Sequence, residues 1–349
     1  MSEDTVQLPC ARGILGVIGI PDITALAQSF IARHPEHREI ARAVLNGAIG
    51  DRLHEAGSPL ATQPRLLFGL DKAETLEALE PSQDPTRICV FVHGLMGCEH
   101  DWTFWSKGNE DKLDYAETLT KQRDVLPVFA RYNSGLHIST NGRALSARLE
   151  ALVEQSPQLR EITIVAHSMG GLVTRSACHY AVTQGHTWQE KLQRVFLLGV
   201  PTHGAPLEQL AHIAAFTLDA IWNPWTKLVG KAINLRSAGI KDLRHGFVLD
   251  EDWQGRDPDQ LRLAAPRAPS SAPHVQWYVA AASLGSMDST WGKMLGDGAV
   301  RTPSASGKGF GTPAPGLLAQ AVVRVFDHTS HAALLSDPAV IKQLLDWWD

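Results

Sequence analysis

The sequence has little excess charge and few cysteines. Lysine and arginine together number 32 against 37 aspartate and glutamate residues, a net charge of −5. Proteins that bind nucleic acids depend on a positive surface, so we expect no nucleic-acid partner. The cysteines do not form a CxxC pair, and their scatter predicts reduced thiols in a core rather than a disulfide framework or a zinc site. They are Cys10, Cys89, Cys98 and Cys178.

Long hydrophobic runs are also missing. The opening MSEDTVQLPCARG is acidic, and the apolar GILGVIGI that follows it is too short to span a bilayer. We therefore expect no secretory signal or transmembrane helix, and a soluble, cytoplasmic protein. A leader removed before residue 1 is compatible with the same sequence. The HExxH, GxGxxG and GxxxxGKS motifs are absent too, so we expect neither a metal ion nor another cofactor.

Short apolar runs alternate with helical patterns through most of the chain. This alternation predicts an α/β fold, with a mostly parallel sheet and helices on both faces. Ligands bind such sheets at the carboxyl ends of the strands, so chemistry is expected just after the runs. The seven runs are LLF (66–68), RICVFV (87–92), DVLPVFA (124–130), EITIVA (161–166), RVFLLG (194–199), VQWYVAA (275–281) and VVRVF (322–326).

Two segments stand outside this alternation. Apolar residues at helical spacing between positions 22 and 57 predict an N-terminal helical arm within residues 1–59, ahead of a main domain at 60–349. About 75 residues separate the fifth and sixth runs. We interpret roughly 205–273 as an inserted helical lid bearing Trp222 and Trp225; an extra packed helical layer is the alternative.

The stretch VAHSMGG (165–171) has the features of a nucleophile elbow. It follows the apolar EITIVA run and precedes a helical pattern, the strand–turn–helix context that raises a serine hydroxyl clear of the backbone. Small residues two positions before and after the serine, Ala166 and Gly170, would let strand and helix approach closely. The first of them departs from the GxSxG pattern. We predict that Ser168 is a nucleophile.

A second motif, VFVHGLMGCEHDW (90–102), follows the RICVFV run. An oxyanion hole needs two backbone N–H groups, one from the residue after the nucleophile and one from such a loop. Met169 and Leu95 are the expected donors. The later run RYNSGLHISTNG (131–142) either orders this loop or forms a structural turn, and the sequence leaves both readings open.

These motifs together resemble the lipase/esterase group of α/β-hydrolases. Over residues 60–349 the chain is similar to bacterial lipases related to the GPI inositol-deacylase (PGAP1-like) serine lipases. The resemblance implies an α/β-hydrolase fold and does not cover the N-terminal arm. It is carried by VHGLMG, RYNSGLHISTNGRAL, VAHSMGGLVTR, LGVPTHGAPLE, LGDGAVRTPSA and HAALLSDPAV, in that order.

The resemblance also implies a catalytic triad in the order serine, acid, histidine. After Ser168 the candidate acids are Asp288 and Asp297, and GDGAV around Asp297 resembles the acid-bearing loop of the family. Two histidines follow the last run. We favour His331, which opens HAALLSDPAV, over His328.

The predicted function is a serine carboxylester hydrolase, an esterase or lipase that works through an acyl-enzyme. Trp222, Trp225 and His203 are expected near a pocket for hydrophobic or lipid-like esters, with transient contact with a lipid interface as a possible partner interaction. Two alternatives stay open: an acyltransferase or amidase that uses the same triad, and a non-catalytic module that binds lipid or protein. The sequence does not indicate an oligomeric state.

Overall fold

A seven-stranded sheet forms the centre of the protein. The computed structural model describes residues 37–68, 85–104, 114–205, 236–256, 266–284 and 320–349, together with Leu318 and a few positions between 25 and 33. The strands are β1 (Arg65–Phe68), β2 (Arg87–Val92), β3 (Leu126–Arg131), β4 (Glu161–His167), β5 (Leu192–Leu198), β6 (Gln276–Ser283) and β7 (Val322–Asp327).

Strand order places β4 in the middle of this sheet. The order is β1-β3-β2-β4-β5-β6-β7; β1 runs antiparallel to β3, and every other pairing is parallel. All seven strands predicted from the apolar runs are confirmed, as is the mostly parallel sheet. The carboxyl ends of β2, β4, β5, β6 and β7 consequently share one edge, where the loops that carry the predicted site begin.

Helices cover both faces of the sheet. Alternate residues of β2 point in opposite directions: Val90 and Val92 join one buried cluster, while Cys89 and Phe91 join the other. The described helices are α1 (Arg38–Glu55), α2 (Asp101–Phe104), α3 (Tyr115–Arg123), α4 (Ile138–Gln155), α5 (Met169–Gln184), α6 (Trp188–Lys191), α7 (Ala238–His245), α8 (Asp250–Trp253) and α9 (Pro338–Trp348). Residues of α1, α4 and α5 lie in the first cluster, and those of α3 and α9 in the second.

The predicted N-terminal helix is present as α1, and its apolar residues lie in the core. Val44, Leu45, Ile49 and Leu53 are each exposed by 2% or less, so the helical spacing read from the sequence marks a face that packs rather than one left in water. The backbone of Ile49 leaves helical geometry, with φ −140° and ψ 22°, and bends the helix there.

Only part of the predicted lid is described. Within 236–256 the chain forms α7 and α8, and the buried Asp252 accepts hydrogen bonds from the backbone N–H groups of Val248 and Leu249 at 3.1 and 3.0 Å. A third comes from the N–H of Arg267 at 2.9 Å. Residues 206–235 and 257–265, with Trp222 and Trp225, lie outside the described residues. Among the helices that the structure describes, none is long and apolar enough to cross a membrane.

Cysteines in the described ranges are buried. Cys89, Cys98 and Cys178 are free thiols exposed by no more than 3%, which confirms the prediction of reduced core thiols for these three. Cys10 lies outside the described residues. Burial raises the pKa of Cys178 to about 12, so its thiol stays protonated at neutral pH.

Candidate active site

Ser168 occupies a strained turn between β4 and α5. Its φ and ψ are 53° and −125°, a backbone conformation that residues other than glycine rarely adopt. Its N–H donates to the Leu198 carbonyl at 2.9 Å and its own carbonyl accepts from Gly171 at 3.1 Å, so both neighbouring elements hold the turn in place. Strain of this kind is concentrated at functional sites. The strand–turn–helix context expected from the sequence is present.

Glycine at the start of α5 lets the helix approach the end of β2. A Cβ atom added to Gly170 would overlap the carbonyl oxygens of Val92 and His93, which are backbone atoms and cannot rotate away. The loop that follows β2 also lies close to Ser168: a Cβ atom on Gly94 would lie 3.1 Å from the Cβ of Ser168. Gly94, in the loop after β2, and Ser168 are therefore in contact.

The Ser168 side chain is buried, and its hydroxyl has no hydrogen-bond partner among the described residues. The residue is 1% exposed, and its Oγ makes no hydrogen bond to any residue in the part of the chain that the structure describes. Buried hydroxyl groups are normally hydrogen-bonded, and each exception calls for a reason. A hydroxyl held in this way is available to a reacting carbonyl and to a base brought close to it.

The run at 131–142 bonds directly to the loop after β2, which we call the oxyanion loop (93–98). Tyr132 donates its hydroxyl to the His93 carbonyl at 2.6 Å, and the two rings stack with centroids 4.1 Å apart. The N–H of Met96 donates to Ser134 Oγ at 3.0 Å. Of the two readings that the sequence left open, these contacts favour an ordering role. Leu95, between the two attachments, is 3% exposed, and Met169 is fully buried.

An ion pair fixes the far end of this region. Arg131, at the end of β3, donates its Nε to Glu99 at 3.0 Å and adds a second bond through Nη2, while its Nη1 lies 3.1 Å from Glu39 at the start of α1. Glu99 is 2% exposed. Burial alone would raise the pKa of Glu99, but the hydrogen bond and charge of Arg131 more than offset it and hold that pKa below its usual value.

His331 lies beside the elbow, and His328 does not share its environment. His331 is 8% exposed, and its ring centroid is 4.6 Å from that of His167, the residue before Ser168. A Cβ atom on Gly199 would lie 2.9 Å from His331 Nδ1, and the φ of +59° at that position also favours glycine. His328 is exposed and has a φ of 56°.

His167 supports the backbone of His331. Its Nε2 lies 3.1 Å from the His331 carbonyl, and because a carbonyl only accepts, Nε2 carries the hydrogen. Burial, followed by the neighbouring His331, lowers the pKa of His167 well below its usual value, so the ring is neutral. Sequence reasoning assigned no role to His167. Its place next to the serine, on a strand whose end meets the His331 loop, was the available signal.

Most of the other predicted site residues lie outside the part of the chain that the structure describes. Asp297, Asp288, Trp222 and Trp225 lie outside the described residues. His203 is on the loop after β5, exposed, with its Nδ1 3.1 Å from the Thr202 hydroxyl. Across the described ranges, no group of three or more histidine, cysteine, aspartate or glutamate side chains could hold a metal ion.

The strand order and the strained serine that follows the central strand define an α/β-hydrolase fold. A family profile described as "Domain of unknown function (DUF7379)" matches residues 67–241, half of the chain. The chain therefore belongs to that family. A comparison with curated protein sequences found no significant match.

Solved structures with a similar fold include two bacterial proteins. The mature form of lipase BlEst2 from Bacillus licheniformis is 19% identical with a TM-score of 0.46, covering 82% of this chain and 97% of that one. A lipase-esterase related protein from Clostridium acetobutylicum is 11% identical with a TM-score of 0.39, covering 82% and 98%. With identities this low, the assignment of the fold depends on the sheet order and the elbow rather than on these two proteins.

Proposed function

We propose that this protein is a serine hydrolase that cleaves carboxylic esters through an acyl-enzyme intermediate. The proposal rests on the backbone conformation, burial and neighbours of Ser168. Its backbone is strained and its hydroxyl is buried without a partner among the described residues. Ser168 lies against Gly94 of the oxyanion loop, and its neighbour His167 lies against the ring of His331. A structural serine in a core would be hydrogen-bonded and unstrained.

In the proposed mechanism His331 removes the proton of Ser168 as Oγ attacks the ester carbonyl. The backbone N–H groups of Leu95 and Met169 would stabilise the negative charge on the carbonyl oxygen, each by about 3 kcal/mol. His331 returns the proton to the departing alcohol, then activates water to cleave the acyl-enzyme. Resemblance to lipases assigns Asp297 to orient His331.

For the substrate we propose hydrophobic or lipid-like esters, of the kind that GPI inositol-deacylase-like lipases would cleave. Support comes from the resemblance of the motifs and from the tryptophans of the predicted lid, Trp222 and Trp225, with His203 at its start. The rate of hydrolysis of p-nitrophenyl esters of increasing acyl length tests this substrate preference. Rates that hold or rise beyond short chains support it, and a collapse beyond short chains contradicts it.

Labelling by a fluorophosphonate probe tests the reaction class. We expect the native protein to label and to hydrolyse p-nitrophenyl esters, and Ser168→Ala to lose both while keeping its melting temperature. Ser176→Ala is the matched control. Ser176 lies on α5, the helix that Ser168 precedes, and is equally buried. Its hydroxyl donates to the Val248 carbonyl at 2.7 Å, away from the elbow. Absence of labelling in the native protein would instead favour a non-catalytic binding module.

A further inference from the structure

We infer that α1 is a positioning element of the active site: its Gly47 seats Met96 and thereby fixes the Leu95 N–H of the oxyanion loop. The inference rests on the proposed ester hydrolysis and deepens it. Leu95 is the predicted donor, and Met96 is the next residue along the loop. A helix that fixes Met96 therefore fixes the donor as well.

Gly47 and Met96 meet without a side chain between them. A Cβ atom on Gly47 would overlap Met96 Cγ and would lie 2.9 Å from the Met96 N and 3.0 Å from its Cα. Two of these three atoms belong to the backbone, so rotation of the methionine side chain cannot make room. Met96 is 1% exposed and has a φ of 59°, a strained conformation that persists only where surrounding contacts hold it.

The same helix also holds the loop that carries Tyr132 and Ser134. Asn133 donates its Nδ2 to the Gly50 carbonyl at 2.9 Å. A Cβ atom on Gly135 would overlap the Asn46 carbonyl and would lie 2.7 Å from the Gly50 N. Because Tyr132 and Ser134 bond to the oxyanion loop, α1 supports that loop twice, once by contact and once through this neighbour.

A third attachment fixes α1 from the segment that includes α7. The bend at Ile49 lies between the two contact glycines, and the Gly47 carbonyl accepts a hydrogen bond from Ser237 Oγ at 2.7 Å. One turn further on, Asp51 Oδ2 accepts from the Ala238 N–H at 3.0 Å. The helix is therefore held at Gly47 and at Asp51, on either side of the bend and in the stretch that contacts the oxyanion loop and its neighbour.

An oxyanion donor acts only within a narrow range of distance. Donors must lie about 2.7–3.1 Å from the negatively charged oxygen, and a displacement of about 1 Å can reduce the rate about 100-fold. A methyl group on Gly47 would force the Met96 backbone to move by several tenths of an ångström. The expected effect falls on stabilisation of the transition state and spares ground-state binding of the ester.

The variant Gly47→Ala tests this on the full-length protein. We expect kcat on a p-nitrophenyl ester to fall about 10- to 100-fold with KM changed less than about twofold. Affinity for a trifluoromethyl ketone, which forms an oxyanion with Ser168, should fall in proportion, while affinity for the matching unfluorinated ketone should not. The control is Ala43→Gly, on the same helix, which lowers helix stability without adding an atom against the loop.

A second variant covers the case in which Gly47→Ala does not fold. Met96→Gly removes the side chain seated on the helix and adds nothing to it, and should show the same selective loss of trifluoromethyl ketone affinity. Equal kcat values in Gly47→Ala and Ala43→Gly, or an unchanged trifluoromethyl ketone affinity in Met96→Gly, would overturn the positioning role. An inactive, unlabelled native protein would instead overturn the proposed function itself, so the two failures are distinct.

Discussion

The elbow and the oxyanion loop meet at Ser168, but the chain builds them in different ways. The elbow is one continuous piece, formed by β4, the serine and the start of α5. The oxyanion loop depends on partners far away in sequence, since Ser134 is 38 positions from Met96 and Tyr132 is 39 from His93. One half of the site is therefore specified locally and the other by tertiary packing.

Because of this difference, the elbow and the oxyanion loop should tolerate substitutions to different degrees. The elbow needs small residues at fixed positions, because its strain is set by the backbone of adjacent residues. The oxyanion loop is fixed by several separate bonds, so each bond accounts for only part of its position. We expect single changes in the elbow to be severe and single changes at the loop's supports to be graded, and Gly170→Ala and Tyr132→Phe test this contrast.

Gly170→Ala should have the largest effect. Its new methyl group would overlap the carbonyl oxygens of Val92 and His93 and push α5 away from β2. We expect kcat/KM on a p-nitrophenyl ester to fall at least about 100-fold and the free energy of unfolding to fall by about 1–3 kcal/mol. Gly185→Ala, at the residue that follows the end of α5, is the control, because a Cβ atom there meets no atom of the described residues within 4 Å and only the φ of +70° opposes it. Similar losses in both variants would contradict the close-contact argument.

Asp101→Asn should change how stability depends on pH. Burial, reinforced by Glu99, raises the pKa of Asp101 to about 7, whereas the unfolded chain ionises it near 4. The folded state then holds a proton that the unfolded state has released, so this group's contribution to stability falls as pH rises from about 4 to 7. Asp101 retains some exposure, and we accordingly expect a difference of about 2 kcal/mol rather than the full shift.

Urea unfolding of the wild type and of Asp101→Asn at pH 4.5 and 7.5 measures this difference. Burial lowers the pKa of His93 to about 4 and holds that of His167 well below its usual value, so both imidazoles act in the opposite direction. Subtracting the variant's change from that of the wild type isolates Asp101. Parallel pH profiles for the two proteins would show that its carboxyl does not titrate in this range.

Tyr132→Phe should have the smallest effect. It removes one hydrogen bond to the His93 carbonyl but leaves the ring stack and the bond between Ser134 and Met96 in place. We expect kcat to fall about three- to tenfold and the free energy of unfolding to fall by about 1 kcal/mol. Tyr180→Phe is the control, since its hydroxyl accepts from Asp250 away from the elbow. A loss as large as that of Gly170→Ala would show that the loop depends on a single bond.

The same contrast explains what could be predicted from the sequence. Continuous apolar runs predicted all seven strands because strands buried on both faces must be apolar throughout. The strained turn at Ser168 could be predicted because the elbow is a local pattern, and motif resemblance favours His331, which lies beside His167. The catalytic roles of both residues stay predictions. The attachments of the oxyanion loop could not be found, because a residue such as Tyr132 carries no local mark of the carbonyl that it will contact.

The N-terminal helix shows the same limit. Its spacing predicted a helix with one apolar face, but spacing does not say which surface that face will cover. Gly47 and Gly50 look unfavourable inside a helix when the sequence is read alone. Their value is apparent only once Met96 and Asn133 are seen against them.

The bond between Gly47 and Ser237 joins residues 190 positions apart. During synthesis the helix leaves the ribosome long before the segment that fixes it, by about 10–40 s at ordinary rates of translation. The oxyanion loop is made in that interval and has only part of its final support. We therefore expect the support of the oxyanion loop to be completed only when Ser237 emerges, still ahead of His331, so that the order of synthesis sets when each part of the site is assembled.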